Sequence, residues 1–319
     1  GIWCVGELRG GKLHPSAYEL LSAAQGLSKA GGGAVTLVVL GAPGTAQALG
    51  EAADRGAERI LVLENPAFSR FLDDSFSSAL AEAVRKEGPR AVLLSASVTG
   101  RSLGPRLAVE LKAGLAPDIT EVSLDSAGNL LGVRSAYAGN VVAQVAVKSP
   151  VAVATIRPLA FPQSPGGGKK AEVSTAQASA SGKTEFVRFS PEASNEIDVG
   201  AAEKIVSGGR GLGDAQGFEL IYKLAAKLGA AVGASRAAVD SGWIPYKHQV
   251  GLTGRSVRPR LYIACGISGQ IQHLAGMKSS DVIVAINTDP DCPMMKLSTY
   301  AVQGDYKKIV EALLKELGG

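Results

Sequence analysis

An α/β fold of two parallel-sheet domains is what this sequence predicts, and three observations predict it. Hydrophobic residues fill 46% of the 319 positions while aromatics fill only 5%, so the core has to be built from Val, Ile, Leu and Ala. Its 40 glycines suit tight turns between buried aliphatic strands. Short aliphatic runs alternate with amphipathic stretches of helical length, a β-α-β-α rhythm that implies right-handed crossovers and Rossmann-like, doubly wound sheets. The length accommodates two domains of ordinary size.

In order along the chain, residues 2–7, 35–40, 59–63 and 91–95 read as buried strands. Amphipathic candidates near residues 15–30, 45–55, 75–87 and 101–112 separate them. The rhythm then changes. Residues 119–124, 130–135, 141–147 and 151–156 follow one another without helices, which predicts a β-meander added to the first sheet. Residues 162–183, PQSPGGGKKAEVSTAQASASGK, offer no face to bury and read as a mobile, low-complexity surface loop. Residues 185–189 complete the first domain as a last strand. The expected domains are 1–190 and 201–319, joined by a linker over 191–200. In the second, strand–turn–helix units start at residues 204–207, 230–232, 261–265 and 281–286, and a last helix covers 306–317.

Charge and cysteine content exclude several classes. Residues 1–199 carry 19 basic and 19 acidic side chains, and residues 200–319 carry 14 and 10, so the excess of +4 lies in the C-terminal part. That suits a phosphate-bearing small ligand and is too weak for a nucleic-acid groove. Cys4, Cys265 and Cys292 form no CxxC pair, so neither a metal cluster nor a disulfide framework is expected, and a reducing compartment is. No apolar run is long enough to insert in a membrane, and the N-terminus lacks a signal-peptide pattern, although a start at Gly1 is compatible with a removed leader.

Four polar turns in the second domain carry the chemistry. In VSGGRGLGD a strand runs into a glycine-rich turn holding Arg210, with a helix opening near Asp214. Glycine permits close backbone approach, and helix N–H groups with Arg210 favour an anion. It is not a strict GxGxxG, and a plain tight turn fits it as well. In GASR, Ser235 either caps a helix or bonds a phosphate, and Arg236 faces the crevice or forms a surface salt bridge. QVGLTG, residues 249–254, presents the Thr253 hydroxyl and backbone donors. GISGQIQH, residues 266–273, places Ser268 and Gly269 at the N-cap region of a short helix, with His273 one turn along. Asn287 follows the next strand, and Asp305 opens the last helix. Singly each fits a structural role. Together, all at the carboxyl ends of strands, they indicate a dinucleotide site.

The run VSGGRGLGD … GASRAAVDSGWIPYKHQVGLTG … LYIACGISGQIQHLAGM … IVAINTDPDCPMMKLSTYAVQGD resembles the alpha subunit of electron transfer flavoproteins over residues 201–319. The stretch SVTGRSLGPRLAVELKAGLAPDIT, residues 97–120, extends the likeness to the first domain. The resemblance implies a first domain that forms a base with a beta subunit and an FAD-binding second domain that swivels on it. It implies FAD contacts from Arg210, Ser235 and Arg236, with Arg236 close to the isoalloxazine. Gln249, Val250, Gly251, Leu252 and Thr253 would line the flavin, with Thr253 near N5. Ser268, Gly269, Gln270, Ile271, Gln272 and His273 would hold the pyrophosphate and ring, His273 near the O2 edge. Asn287 and Asp305 would serve the adenosine end, and Tyr306 would also contact the cofactor. Arg236, Thr253 and His273 are the residues expected to tune the flavin.

Two positions depart from the family pattern. Leu252 replaces a usual Gln, losing a side-chain amide while leaving a backbone N–H, and Gln270 replaces a small residue. The implied function is an electron carrier with one FAD in this subunit and AMP or a second FAD in the beta subunit. Its implied partners are an acyl-CoA dehydrogenase-type flavoenzyme and a quinone reductase, as in fatty acid beta-oxidation. The alternative is electron bifurcation, in which NADH donates through the second FAD to ferredoxin and an enoyl-CoA. The compartment would be the cytoplasm of a bacterium or archaeon, or the mitochondrial matrix of a eukaryote. A nucleotide-binding module without redox work is the competing class.

Overall fold

The computed structural model describes residues 1–136, 141–188 and 196–318. They fall into two compact units, residues 1–136 with 141–188 and residues 196–318. Each is an α/β unit on a parallel sheet, the class expected.

The first unit starts with β1 (Ile2–Gly6), a small hairpin of β2 (Leu8–Arg9) and β3 (Lys12–Leu13), and helix α1 (Ser16–Leu27). β4 (Val35–Gly41), a 3₁₀ segment at Thr45–Ala52, β5 (Arg59–Glu64), α2 (Asp73–Glu87), β6 (Ala91–Ser95) and α3 (Val98–Leu111) follow. Ser97 begins α3 by accepting the Gly100 N–H at 3.0 Å, three residues before the start expected from periodicity. β7 (Gly114–Ile119) precedes β8 (Glu121–Leu124), β9 (Leu130–Ala136) and β10 (Val141–Val147), and then come β11 (Ala152–Ile156) and β12 (Glu172–Gln177). The main sheet has the order β12-β5-β4-β1-β6-β11-β7, with every pairing parallel. Successive residues of β1 feed its two faces: Ile2 and Cys4 pack with Leu20, Leu21 and Leu37, while Trp3 and Val5 pack with Leu80 and Leu103.

Three expectations for this unit are corrected. The meander holds only β8, β9 and β10, as a separate antiparallel sheet, whereas β11 enters the parallel sheet between β6 and β7. The reason is burial on both faces: every residue of β11 is buried, while β10 is mostly exposed. The low-complexity segment is not a loop throughout. Its residues 172–177 form β12, the sheet edge, in parallel register with β5 from Glu172↔Arg59 to Gln177↔Glu64. Residues 185–188 carry no strand, and Phe189 of that expected strand lies outside the described residues, as does the 191–195 part of the linker.

The second unit has the sheet order β14-β13-β15-β16-β17, all parallel, from β13 (Lys204–Gly208), β14 (Ala231–Ala234), β15 (Leu261–Cys265), β16 (Val282–Asn287) and β17 (Tyr300–Gln303). Helix α4 (Gly217–Leu228) and α8 (Tyr306–Glu316) contribute Phe218, Leu224 and Val310 to one face, with Val206 and Ile263. The other face buries Ile205, Tyr262, Met277 and Met294, with Val199 from the segment entering the unit. The short helices α5 (Arg236–Asp240), α6 (Ile271–Leu274) and α7 (Pro293–Leu297) stand in the strand connections. Among the described residues, no helix is long and apolar enough to cross a membrane and no cluster of His, Cys, Asp and Glu is arranged to hold a metal ion. Cys4, Cys265 and Cys292 are free and buried.

Candidate functional site

In the second sheet, strand order reverses about β13, and the crevice at such a switch point is where open α/β sheets take ligands. Three polar turns leave strands there. β13 ends at Gly208 and turns through Gly209 into a 3₁₀ segment, Arg210–Leu212. β14 ends at Ala234, and Ser235 caps α5 by accepting the Ala238 N–H at 3.4 Å. β15 ends at Cys265 and leads through residues 266–270 into α6. Gln270, not Ser268 or Gly269, stands at the N-cap of that helix.

The fourth turn, residues 249–254, follows no strand, which corrects the expectation that all four do. It is laid against the end of β14 by the Val250 N–H, which donates to the Ala234 carbonyl at 2.9 Å. The loop closes on itself: Arg255 N–H donates to the Gln249 carbonyl at 2.7 Å, and the Gln249 amide donates to Thr253 Oγ1 at 3.0 Å. At its base the buried His248 ring stands 2.8 Å from the Val232 carbonyl through Nδ1.

These turns surround a cavity of about 600 Å³, a size ordinary for cofactor sites. Its wall takes Arg210 from the first turn, Ser235 and Arg236 from the second, and Gln249, Val250, Gly251 and Thr253 from the fourth. Ser268, Gly269, Gln270, Gln272 and His273 come from the third, and Asn287 from the end of β16. Gly211, Ala237, Asp240, Gly266 and Ile267 also line it and were not singled out from sequence. Asp240 had a usable signal, because it lies four residues after Arg236 on a helix.

Four anticipated residues do not line the cavity. Leu252 is 41% exposed, and its N–H donates to the Gln272 carbonyl at 2.8 Å, so the backbone donor expected there is already engaged. Ile271 points to solvent at 45% exposure. Asp305 caps α8 through the Lys307 N–H at 2.7 Å. Tyr306 is buried and donates its hydroxyl to the Leu212 carbonyl at 3.1 Å, holding α8 to the first turn.

Charge and its absence divide the wall. Arg210 and Arg236 are exposed cations. The His273 ring is 7% exposed, with Nε2 2.9 Å from the Tyr262 hydroxyl. Burial pushes this imidazole down to about 4, opposed by the nearby Val250 carbonyl. It is therefore a neutral group at physiological pH, unlike the two arginines of the wall. Backbone approach is equally marked. A Cβ on Gly209 would stand 2.3 Å from the Gly266 carbonyl oxygen, and one on Gly269, whose φ is +80°, 2.4 Å from Met294 N. Only glycine allows the turns to close this tightly.

Residues 2–181 match the electron transfer flavoprotein domain, and residues 198–278 match the electron transfer flavoprotein FAD-binding domain. This chain belongs to the electron transfer flavoprotein family. Several of its relatives are named electron transfer flavoprotein subunit alpha. The electron transfer flavoprotein subunit alpha of Thermoanaerobacterium thermosaccharolyticum is 39% identical, covering 99% of this chain and 97% of the relative. That of Syntrophomonas wolfei is 38% identical, covering 99% of each. Protein FixB of Clostridium saccharobutylicum is 35% identical over 99% of this chain and 96% of its own length. The cavity wall from Arg210 to His273 falls within the family's FAD-binding domain match.

Proposed function

We propose that the cavity of the second unit holds FAD and that the chain, paired with a beta subunit, carries electrons between a dehydrogenase of the acyl-CoA type and a quinone reductase. The observation that supports this most is the composition of one wall. Two arginines, the turn backbones of Gly211 and Gly269, and the buried His273 stand around a single cavity at a sheet switch point. A flat ligand with an anionic centre satisfies that donor-rich set, so the residues present fit FAD.

When bound, FAD supplies reversible one- and two-electron chemistry, and the protein supplies orientation and electrostatics. Arg210, Ser235 and the turn at residues 266–270 would hold the pyrophosphate. Gln249, Val250, Gly251 and Thr253 would line the ring system, with Arg236 and His273 beside its charge-accepting edge. Asn287 braces the adenosine side, its amide donating to the Ile267 carbonyl at 3.0 Å. The first domain, taken as residues 1–190, would serve as the base for the beta subunit, and residues 201–319 as the FAD domain. Three free buried cysteines suit a reducing compartment such as a bacterial cytoplasm.

The test is the visible spectrum and the cofactor count of the purified heterodimer. One FAD per heterodimer supports the carrier reading, and two FAD per heterodimer favour the bifurcating form. A heterodimer that stays colourless after reconstitution with FAD overturns both.

A further inference from the structure

The loop at residues 249–254 lies along the free edge of the second sheet, where β14 is the last strand. Ser235, just past β14, donates its N–H to the Gly208 carbonyl of β13 at 3.0 Å. Odd positions thus face β13, and the carbonyls of Val232 and Ala234 point outward to the edge. Ala234 pairs with Gln249 in a parallel bridge, and the Val250 N–H donates to the Ala234 carbonyl at 2.9 Å. Two residues earlier on both segments, the next rung of such a ladder would run from the His248 N–H to the Val232 carbonyl. That N–H is used elsewhere: it donates to the Pro245 carbonyl at 3.1 Å and closes the 3₁₀ turn at Tyr246–His248.

The side chain takes the vacant rung. His248 Nδ1 stands 2.8 Å from the Val232 carbonyl oxygen, and because a carbonyl only accepts, Nδ1 carries the hydrogen whatever the charge of the ring. The residue is 3% exposed, with Tyr222 of α4 set edge-on to the ring at a centroid distance of 6.4 Å. Nε2 stands 3.4 Å from Glu196 Oε2 and makes no hydrogen bond among the described residues, so the bond to Val232 is what orients the imidazole. Val232 is buried too, and losing this donor would leave its carbonyl an unsatisfied acceptor. His248 does not line the cavity, but the residues that follow it do: Gln249, Val250, Gly251 and Thr253.

We infer that His248 is a positioning residue: its imidazole replaces a backbone N–H in the ladder between β14 and the 249–254 loop, and so sets the register in which that loop faces the cavity. Without it, the pairing with β14 rests on the Val250 rung, and a segment held by few hydrogen bonds opens locally. The consequence for a bound cofactor rests on the FAD reading, in which this loop lines the ring system. The anchor itself does not depend on any ligand. A side chain outside the cavity wall thus governs the ring side of the site and leaves the turns at residues 208–212 and 266–270 as they are.

The experiment compares His248→Leu with His248→Asn in the full chain, in its heterodimer as purified. Asn offers an N–H at the place of Nδ1, whereas Leu keeps apolar bulk and no donor. Amide hydrogen exchange at Val250 should accelerate about tenfold in His248→Leu, the ratio one hydrogen bond can sustain, and return near the unaltered rate in His248→Asn. The Ser235 amide, bonded to β13, should not change in either. With FAD as the probe, the dissociation constant should rise by a similar factor in His248→Leu alone, with an altered visible circular dichroism of the flavin. Unchanged Val250 exchange in His248→Leu overturns the inference, and so does a His248→Asn protein that behaves like it or does not fold. If His248→Leu fails to fold, ¹⁵N NMR of the unaltered protein decides, the His248 ring signals being those lost in His248→Asn. A protonated Nδ1 is expected there, and an unprotonated one overturns the inference. Flavin absorbance of the same samples separates the two claims. A yellow protein without the Val250 response sinks the role of His248 and spares FAD, while a colourless one with it does the reverse.

Discussion

Arg236 and Asp240 stand one turn apart on α5, joined across 3.2 Å from Nε to Oδ2, and both side chains belong to the cavity wall. The pair is open to solvent, at 68% and 61% side-chain exposure, and the basic residue precedes the acidic one, the weaker order for this spacing. Such a pair stabilises the helix little. Its significance is electrostatic: the carboxylate partly cancels the charge that the arginine brings to the wall.

Asp240→Asn should therefore raise the one-electron potential of bound flavin, and Arg236→Ala should lower it. A charge effect of about 1 kcal/mol corresponds to roughly 40 mV for one electron. Spectroelectrochemical titration measures both variants. Shifts of the same sign, or none in either, would show that this pair does not act on the cofactor.

Acid should weaken the second unit through His273. The unfolded chain takes up the imidazole proton near its ordinary value of 6.5, whereas the folded chain resists until about 4. Between those values the unfolded state binds more protons, so the stabilisation present above 6.5 is lost as pH falls toward 4. The full effect is on the order of 3 kcal/mol. Urea midpoints at pH 7.5 and pH 5, followed through Trp243 fluorescence in a Trp3→Phe background, should separate widely, and His273→Gln should narrow the gap. A gap of equal size in the variant would mean that another group carries the acid sensitivity.

Gly269→Ala should damage fold and cavity together. The new methyl would press on the backbone of α7 at Met294 while the residue is held in a left-handed conformation. A loss of at least about 2 kcal/mol, several degrees of melting temperature, is expected. The flavin-to-protein ratio should fall with it. A variant with unchanged melting temperature and cofactor content would contradict the tight closure described for this turn.

The edge strand β12 makes a separate prediction in the first unit. Hydrogen exchange at the Ser174 and Ala176 amides should be slower than at those of Lys169 and Lys170 by about a hundredfold, since in the parallel register these alternate N–H groups of β12 face the carbonyls of β5. Equal exchange rates would return the segment to a loop.

The parts of the protein that sequence could reveal are those where local composition and burial coincide. Strands such as β4 and β15 are continuous aliphatic runs because both of their faces are covered, and the glycine-rich turns after β13 and β15 announce themselves by residue type. Most of the cavity wall was legible for that reason, with the wording of the motifs naming the family. Asp305 and Tyr306 stand outside the cavity wall in structural places, and a residue that opens a helix or fills a core carries the same letters as one that touches a ligand.

What only the tertiary structure decided is partnership. EVSTAQ becomes a strand because β5 presents an unpaired edge to it, and nothing in its own residues compels pairing. β11 leaves the meander because the parallel sheet can bury both its faces. Asp240 joins the wall through Arg236, and Tyr262 reaches His273 from another element 11 residues away. The amino-acid order by itself determined most of the elements, the glycine-rich turns and the family. Which groups face one another inside them depends on long-range packing, since a hydrogen bond or an ion pair is set by distances that no single stretch of chain contains.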